Sequence, residues 1–508
     1  MDLARPGIIG PITIEDAANP TSRSPPDGTR RPDNTHERRV GLAIFVLCLT
    51  AYGYFVWRGP IHNADSRLAL TYSLVETGNL SIDRYSASTA DRAYRNGHFY
   101  TDKAPGVSFM LAPIYAVLRL LPLPDAGEPE IGERFVTRYL LTFFGIGVPA
   151  ALFASWLFSW LRPFAASIGP RSAVVIGYSL GSPVWLYSTN AFGHVPAGMC
   201  LFGAFAVLAG VQAHLHRSRH LGAGALLGLA VACEYTVSIP ATIVGCFFLL
   251  RDGAYGKLRR LGDLAAGALP ALALLAAYHT VAFGAPWWTG YANLDPQSPF
   301  AHAQQRGILG VGVPDLGIAI SLLAGEHRGL IVVAPWLLLA IPGAVFMWRR
   351  GPARWHAASA CAVFLSLLLV NGGYTVWDGG AAWGPRHLTP ALAFLALLVA
   401  PAAQRWPRLA CAMVSISVAL STVGAASGAL PPVEARGTVQ DYVLPAMFRG
   451  QVTNNWGMLL GLSAWRSLVP FAVIAMCCLA FACGLRRSYG WLAAGGLALV
   501  AATRIDRS

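Results

Sequence analysis

Runs of about 20 mostly apolar residues recur along this chain of 508 residues and limit what it can fold into. Hydrophobic residues make up 55% of the sequence and charged residues 12%, whereas ordinary soluble domains are about 45–50% apolar. Because hydrocarbon offers no hydrogen-bond partners to the backbone, a chain crosses a bilayer as helices or as a closed barrel. The length of the runs predicts an all-α fold, a polytopic membrane helical bundle.

The run 221–250 is too long for one crossing and holds Glu234, Tyr235 and Pro240 near its middle. We therefore expect two short helices that turn there. With this pair the chain has about thirteen predicted crossings. The single crossings lie near 40–58, 134–160, 171–190, 194–212, 262–283, 329–348, 355–371, 387–403, 408–427, 466–484 and 489–503.

Arginine and lysine collect in alternate short loops, which is typical of the cytoplasmic side of a membrane protein. Residues 1–39 are rich in Pro, Arg, Ser and Asp, which predicts a disordered cytoplasmic tail. The Arg-rich loops all fall inside if the apolar stretch 105–123 is a juxtamembrane or re-entrant helix. A full crossing at 105–123 is the alternative, and it would invert every later loop.

This orientation places the C-terminus and four substantial segments outside. The outer segments are 59–133, 284–328, 372–386 and 428–465. We expect residues 40–427 to form a membrane catalytic module, followed by an outer loop and a C-terminal helix pair in 428–508. The predicted location is the plasma (inner) membrane, with the active site on the outer face.

Charge and motifs exclude several functions. The net charge of +13 comes from arginines clustered between apolar segments, which argues against nucleic-acid binding. The nine cysteines lack zinc-site spacing. We find no Gly-rich phosphate loop after a strand, so a cytosolic nucleotide is not the expected source of energy or sugar.

The first outer loop carries the most informative residues. It contains "HNADSRLALTYSLVETGNLSID" and "RAYRNGHFYTDKAPG", with Asp65 and Arg67 soon after the first crossing and Lys103 before an apolar run. Apolar positions between Ala64 and Glu76 predict a short helix along the membrane interface. Two plainer interpretations remain open at this point. An aspartate at that position also caps a helix, and an interfacial lysine also extends its ammonium group to the headgroups.

This loop resembles the first outer loop of the GT-C superfamily of integral-membrane glycosyltransferases. The similarity is to the branch of protein O-mannosyltransferases and lipid A aminoarabinose transferases, where an acid follows the first helix and an acid-Lys-Pro-Pro motif comes later. Asp102, Lys103 and Pro105 fit the second motif, with Ala104 in place of the first proline. The first motif commonly has two adjacent acids, whereas Ala64 precedes the single Asp65 here.

The resemblance implies a reaction and assigns roles. The donor would be a sugar on a polyprenyl phosphate, transferred with inversion to a cell-envelope glycan, lipid or protein. Asp65 would act as general base on the acceptor hydroxyl, and Arg67 and Lys103 would stabilise the leaving phosphate. Tyr100 and Asp102 would contact the substrate. A divalent metal ion remains possible.

Other predicted outer turns add candidates. His194, Arg328 and Arg386 are expected at the phosphate, whereas Glu234, Trp377, Asp378 and Trp383 are expected to bind substrate. Each has a structural alternative. A membrane-surface histidine is often hydrogen-bonded structure, and tryptophans with an arginine also form an interfacial belt. His387 follows Arg386 in the same segment, "GGYTVWDGGAAWGPRHLTP".

Two other classes of membrane protein compete with a glycosyltransferase. A transporter or lipid flippase is also polytopic, but such proteins tend to show internal repeats and broken helices at the midplane. A structural or assembly protein would not need Asp65. The partners expected for the main interpretation are the lipid-linked donor, the bilayer and an envelope acceptor.

The predicted topology can be tested by cysteine labelling. In a background with the native cysteines replaced, we expect Arg95→Cys to react with a membrane-impermeant reagent in intact cells. Lys257→Cys should react only after permeabilisation, because the loop 251–261 is rich in positive charge. Labelling of both residues from the same face would contradict the orientation.

Overall fold

A computed structural model describes residues 34–484, apart from 126–127, 129, 211–215, 252–255, 299–300, 302–306, 309, 429 and 433–434. The described chain is built almost entirely of helices, which confirms the all-α class, and contains one two-stranded antiparallel sheet. The predicted crossing 489–503 and most of the predicted tail, 1–33, lie outside the described residues.

The described residues of the first half form eleven α-helices and the two strands. The helices are α1 Asn34–Tyr54, α2 His62–Glu76, α3 Gly106–Leu118, α4 Phe135–Thr142, α5 Val148–Trp160, α6 Ile168–Leu180, α7 Val184–Tyr187, α8 His194–Ala209, α9 Arg217–Cys233, α10 Ser238–Arg251 and α11 Lys257–Phe283. The strands are β1 Arg92–Arg95 and β2 His98–Thr101.

In the second half, the regular elements among the described residues are all helices, joined by loops. Its helices are α12 Leu316–Ala324, α13 Leu330–Val333, α14 Ala340–Arg349, α15 Arg354–Gly372, α16 Leu392–Arg405, α17 Pro407–Ala426, α18 Leu444–Phe448, α19 Trp456–Leu459 and α20 Val469–Ala482. A 3-10 turn at Arg386–Ala391 leads directly into α16.

Within the described residues, six helical segments are long and apolar enough to cross a membrane by themselves. They include Phe135–Trp160, Lys257–Phe283 and Arg386–Arg405, close to the predicted crossings at 134–160, 262–283 and 387–403. The other three are Gly351–Gly372, Pro407–Ala426 and Ala464–Ala482, near the predicted crossings at 355–371, 408–427 and 466–484. The predicted crossing at 40–58 corresponds to the 21-residue α1, and the others in the described chain correspond to shorter or interrupted helices. The long segments establish a polytopic membrane helical bundle.

Three predicted crossings differ from the observed helices. The crossing at 329–348 is divided at Ala334, between α13 and a 3-10 turn at Pro335–Leu339. The crossing at 171–190 is interrupted, because α6 ends at Leu180 and Pro183 precedes the short α7; proline has no N–H to continue a helix. The first helix begins at Asn34, so the last residues of the predicted tail, 34–39, are helical.

The predicted division of the run 221–250 agrees with the structure, whereas the juxtamembrane or re-entrant position of 105–123 stays a prediction. The run 221–250 forms α9 and α10, separated by a 3-10 turn at Tyr235–Val237. The stretch 105–123 forms α3, which has only 13 residues. At 1.5 Å per residue this helix is about 20 Å long, whereas the hydrocarbon core is about 30 Å thick.

The segment 59–133, which is predicted as the first outer loop and keeps that label below, packs against the bundle. Helix α2 forms as predicted, but its residues from Asn63 to Ser73 are all buried, so it does not lie along a lipid interface. Its polar side chains find partners within the protein, as Ser66 contacts Thr101 Oγ1 at 2.7 Å. The C-terminal Glu76 of α2 is held by Arg134 at 2.6 Å.

The hairpin was not predicted, although its turn has a clear signal. Asn96 and Gly97 connect β1 and β2 with φ values of 54° and 87°, and an Asn-Gly pair favours the positive φ angles of a two-residue hairpin. Arg92 pairs with Thr101 at the open end of the hairpin. This register brings the residues before β1 and after β2 close together.

Helices α9 and α11 approach each other through glycines. A Cβ atom at Gly224 would lie 2.0 Å from the Leu264 carbonyl oxygen, and one at Gly267 would lie 2.0 Å from the Leu221 carbonyl oxygen. Gly228 makes a similar approach to α11. Small residues four apart allow such backbone contact between membrane helices.

A substitution at this contact should destabilise the bundle. We expect Gly224→Leu to lower the stability of the purified protein in detergent by about 1–3 kcal/mol, the usual cost of overpacking, as seen in thermal unfolding. Gly222→Leu is the matched control, because a Cβ at Gly222 meets nothing within 4 Å. Equal melting temperatures for the two variants would contradict the contact.

Candidate functional site

A cavity of about 380 Å³ opens where the first outer loop meets the bundle. Its volume falls within the range of small-molecule sites, about 300–1,000 Å³. The outer loop contributes Asn63, Asp91 and Lys103 to its wall. The bundle contributes the N-terminus of α8, the turn after α9 and the loop before α16, through residues that include His194, Glu234, Tyr374, Arg386 and His387.

Lys103 lies between two carboxylates. Its Nζ is 2.9 Å from Asp91 Oδ2 and 2.8 Å from Asp102 Oδ2. The hairpin explains this arrangement, because Asp91 precedes β1 and Asp102 follows β2 at the paired, open end. The positive charge of Lys103 is therefore already balanced by neighbouring carboxylates.

The same arrangement controls ionisation at the cavity wall. Burial opposes ionisation of Asp91, but Lys103 outweighs it and holds the pKa of Asp91 below its ordinary value. Burial dominates at Asp102 and raises its pKa. Burial disfavours the charged form of Lys103, yet Asp102 and Asp91 together raise its pKa. Asp91 is therefore the carboxylate of this group that stays ionised most readily, and it faces the cavity.

Arg67 connects α2 to the turn after α9. Its Nη2 lies 3.3 Å from Glu234 Oε2, and its Nη1 donates to the Asn63 carbonyl oxygen at 3.1 Å. Arg67 is 1% exposed and does not line the cavity, whereas Glu234 does. Arg67 therefore balances the charge of Glu234 from the side that faces away from the cavity.

Arg386 differs from the other two cations. Among the described residues it has no carboxylate within ion-pair distance, and its buried Nε has no hydrogen-bond partner. The guanidinium lies 5.6 Å above the centre of the Phe192 ring. Gly379, at φ 73°, leaves room for it, since a Cβ there would lie 3.0 Å from Arg386 Nε. An uncompensated guanidinium at a cavity wall can bind an anion.

Two histidines complete this side of the cavity. His194 and His387 are 2% and 8% exposed, and their rings meet edge to face with centres 5.1 Å apart. None of their four ring nitrogens has a hydrogen-bond partner among the described residues. His194 Nδ1 lies 3.2 Å from Glu234 Oε2 without hydrogen-bond geometry.

Asp65, the residue predicted as general base, does not line the cavity. Its Oδ2 accepts from the Ile61 N–H at 2.7 Å, and its Oδ1 lies 3.3 Å from Arg138 Nη1. Burial raises the pKa of Asp65 to about 6, against the opposing effect of Arg138. This pKa suits a base, but the contacts are those of a side chain that fixes the start of α2.

Arg328 lies away from the cavity wall and is fully buried. Its guanidinium donates to the carbonyl oxygens of Gly380 at 3.0 Å and Pro431 at 3.3 Å, and to Thr438 Oγ1 at 3.1 Å. These contacts join the outer segments around 372–386 and 428–465. Arg328 therefore holds the loop that carries Arg386.

The remaining predicted substrate residues also lie outside the cavity wall. Trp383 is fully buried and packs against Gly424, where a Cβ would lie 2.6 Å from its ring. The Oδ1 of Asp378 accepts from a backbone N–H of its own loop. Trp377 is partly buried against the core, and Tyr100 packs on the ring of a phenylalanine in α11.

The sequence analysis missed Asp91 and gave His387 no role. Asp91 precedes the hairpin, and the Asn-Gly turn with the known Asp102 and Lys103 would have indicated that it lies opposite them. Asn63, Tyr291 and Tyr374 also line the cavity. No local pattern distinguishes them, because chain segments distant in sequence bring them together.

The possible divalent metal ion finds little support at this wall. Within the described part of the chain, no group of three or more His, Cys, Asp or Glu side chains is arranged to hold a metal ion. Asp91 faces Lys103 and Glu234 faces Arg67. Carboxylates already paired with cations are poor metal ligands, so the residues present do not fit a metal.

Of the comparisons with known proteins, the one with solved structures finds matches at low sequence identity. No family model and no curated protein matches the sequence. The crystal structure of ArnT from Cupriavidus metallidurans bound to undecaprenyl phosphate shares 14% identity and a TM-score of 0.48, covering 92% of this chain and 73% of that chain. The apo structure of the same ArnT shares 15% identity and a TM-score of 0.46, with coverages of 91% and 73%.

The contacts of Asp65 predict an effect on stability. Asp65→Asn removes one partner of a buried ion pair and leaves Arg138 uncompensated, a change that costs about 3–5 kcal/mol in other proteins. We expect a clear fall in the melting temperature in detergent. Asp83→Asn is the control, because Asp83 is exposed, its ion-pair partner His98 is exposed as well, and asparagine keeps an oxygen that can accept from the Phe99 N–H. Unchanged stability of Asp65→Asn would contradict the structural role.

Proposed function

We propose that this protein is a membrane glycosyltransferase that takes its sugar from a polyprenyl phosphate and acts at the outer face of the plasma membrane. The observation that carries the proposal is that one cavity wall holds both a cation without a carboxylate partner and a carboxylate bound by a lysine. Arg386 is the cation, and Asp91 is the carboxylate. Transfer from a lipid phosphate to a hydroxyl needs both groups, one at the leaving phosphate and one at the acceptor.

Arg386 suits the leaving phosphate. A guanidinium presents planar donors that match phosphate oxygens and remains charged at any physiological pH. Because no carboxylate offsets it, its field acts on the charge that develops as the sugar-phosphate bond breaks. Lys103 adds a second cation near the wall, but its two carboxylates reduce what it offers to an anion.

Asp91 is the base candidate that the geometry favours. Its Oδ2 is held by Lys103, and its Oδ1 has no hydrogen bond from the described residues. A carboxylate fixed through one oxygen can accept a proton from an acceptor hydroxyl through the other. The resemblance assigns this role to Asp65, whose two oxygens are both engaged away from the cavity.

An apolar space beside α3 supports a lipid-linked donor. A second cavity, of about 170 Å³, starts at Pro105, two residues after Lys103, and runs between α3, α9 and α11. Phe109, Leu229 and Leu275 are among its lining residues. A polyprenyl chain attached to a phosphate at the polar cavity could extend along this surface. The acceptor would be an envelope glycan, lipid or protein.

The proposal is tested by transfer from a labelled polyprenyl-phosphate sugar by purified protein in nanodiscs. We expect Asp91→Asn to reduce single-turnover transfer by about 10²–10⁴-fold, the usual contribution of a general base. Asp102→Asn is the matched control, because it removes the other carboxylate of Lys103 on the side away from the cavity. The loss of transfer activity in Asp102→Asn should be much smaller than in Asp91→Asn.

Other results would support different conclusions. A larger loss in Asp65→Asn than in Asp91→Asn, at equal folded fraction, would return the role of base to Asp65. Wild-type protein that moves the labelled lipid across the membrane without releasing its sugar would be a flippase. Absence of both activities with every donor would contradict the proposed function.

A further inference from the structure

We infer that His194 and His387 form the binding site for the hydroxyl groups of the donor's sugar, beside a phosphate held by Arg386. The inference rests on the proposed function and assigns His194 to the sugar instead of the phosphate. It starts from the state of the two side chains. Both are more than nine-tenths buried, both line the cavity, and neither has a hydrogen-bond partner at either ring nitrogen among the described residues.

Buried nitrogens without a partner favour a ligand at this wall. Nearly all buried polar atoms in native proteins are paired with protein or water. Here four such nitrogens belong to two side chains that line one cavity. The nitrogens themselves are buried, so a ligand hydroxyl pairs with them when an imidazole ring turns its edge toward the cavity.

The chemistry of the wall favours hydroxyl groups over phosphate oxygens. An uncharged imidazole carries one donor and one acceptor, and so does a hydroxyl group. An ionised phosphate can only accept hydrogen bonds, so the ring nitrogens that also accept would repel its oxygens. Glu234 adds acceptor oxygens 3.2 Å from His194 Nδ1, and its charge is offset by Arg67. This mixture of donors and acceptors matches a sugar ring.

Aromatic rings supply the other half of a sugar site. The ring of Phe192 lies nearly parallel to that of His194, with centres 6.1 Å apart and planes at 21°. Tyr374 meets His387 edge to face at 5.3 Å. Both aromatic residues line the cavity. Their apolar surfaces can cover the C–H faces of a sugar while the imidazoles contact its hydroxyl groups.

The position of Arg386 agrees with this division. It immediately precedes His387 in the chain, and its guanidinium lies above Phe192, the ring that packs on His194. The phosphate and sugar positions are therefore adjacent, as the single oxygen that joins them in the donor requires. The other cation on the wall, Lys103, belongs to the Asp91 side.

The test compares two lipids in binding to purified protein in nanodiscs. One is undecaprenyl phosphate, and the other is undecaprenyl phosphate carrying a neutral hexose or pentose, taken from a panel. We expect wild-type protein to bind at least one sugar-bearing lipid more tightly than the bare lipid. His387→Phe and His194→Phe should each weaken the binding of that lipid about tenfold, which is the contribution of one good hydrogen bond. The affinity for the bare lipid should stay unchanged.

Matched variants separate the sugar role from other roles. His387→Gln keeps one donor and one acceptor, so it should retain more of the sugar-dependent affinity than His387→Phe. Arg386→Gln should weaken the binding of both lipids by the same factor, because both contain the phosphate. Unchanged binding of the bare lipid by the histidine variants also shows that they are folded.

Three results would overturn the inference. An equal loss of affinity for both lipids in the histidine variants would place these residues at the phosphate. Equal wild-type affinity for the bare lipid and every sugar-bearing lipid would show that the site does not bind the sugar. Wild-type affinities unchanged in His194→Phe and His387→Phe would give the pair no ligand role. Failure of the wild type to bind any of these lipids would instead contradict the proposed function.

Discussion

The buried contact between Arg67 and Glu234 joins the two halves of the candidate site. Arg67 belongs to the first outer loop and Glu234 to the turn between α9 and α10, and both are almost fully buried. Burying two charges is costly, and the cost is recovered only while both remain in contact. Loss of either partner would leave an uncompensated charge at the seam where the cavity opens. The cavity therefore depends on this docking of the outer loop.

The charges around the cavity have different functions because they have different partners. Arg67 and Lys103 face carboxylates, so they mainly hold Glu234, Asp91 and Asp102 in place. Arg386 has no such partner among the described residues and is free to act on a ligand. The residue type alone does not separate these roles, since each is a cation in or next to an outer segment. The distance from each cation to its nearest carboxylate separates them.

The success of the sequence analysis varied with the distance between interacting residues. The two-helix turn at Glu234 followed from the length of one apolar run, and it is present. The motif around Lys103 led to a residue of the cavity wall. The same reasoning selected Asp65, whose carboxylate turns toward Arg138, 73 residues later in the chain. Nothing local to Asp65 shows that partner.

The sequence by itself determined the helical membrane class and most helix positions. Hydrocarbon requires backbone groups to pair within each segment, so long apolar runs must be helices. The sequence also limited the candidate site residues to a small set, most of them charged residues in the predicted outer loops. Only the tertiary structure decided which of them face one cavity, and it added Asp91 and His387. The direction of a side chain depends on the packing of segments that are far apart in sequence, and hydrophobic periodicity carries no information about that packing.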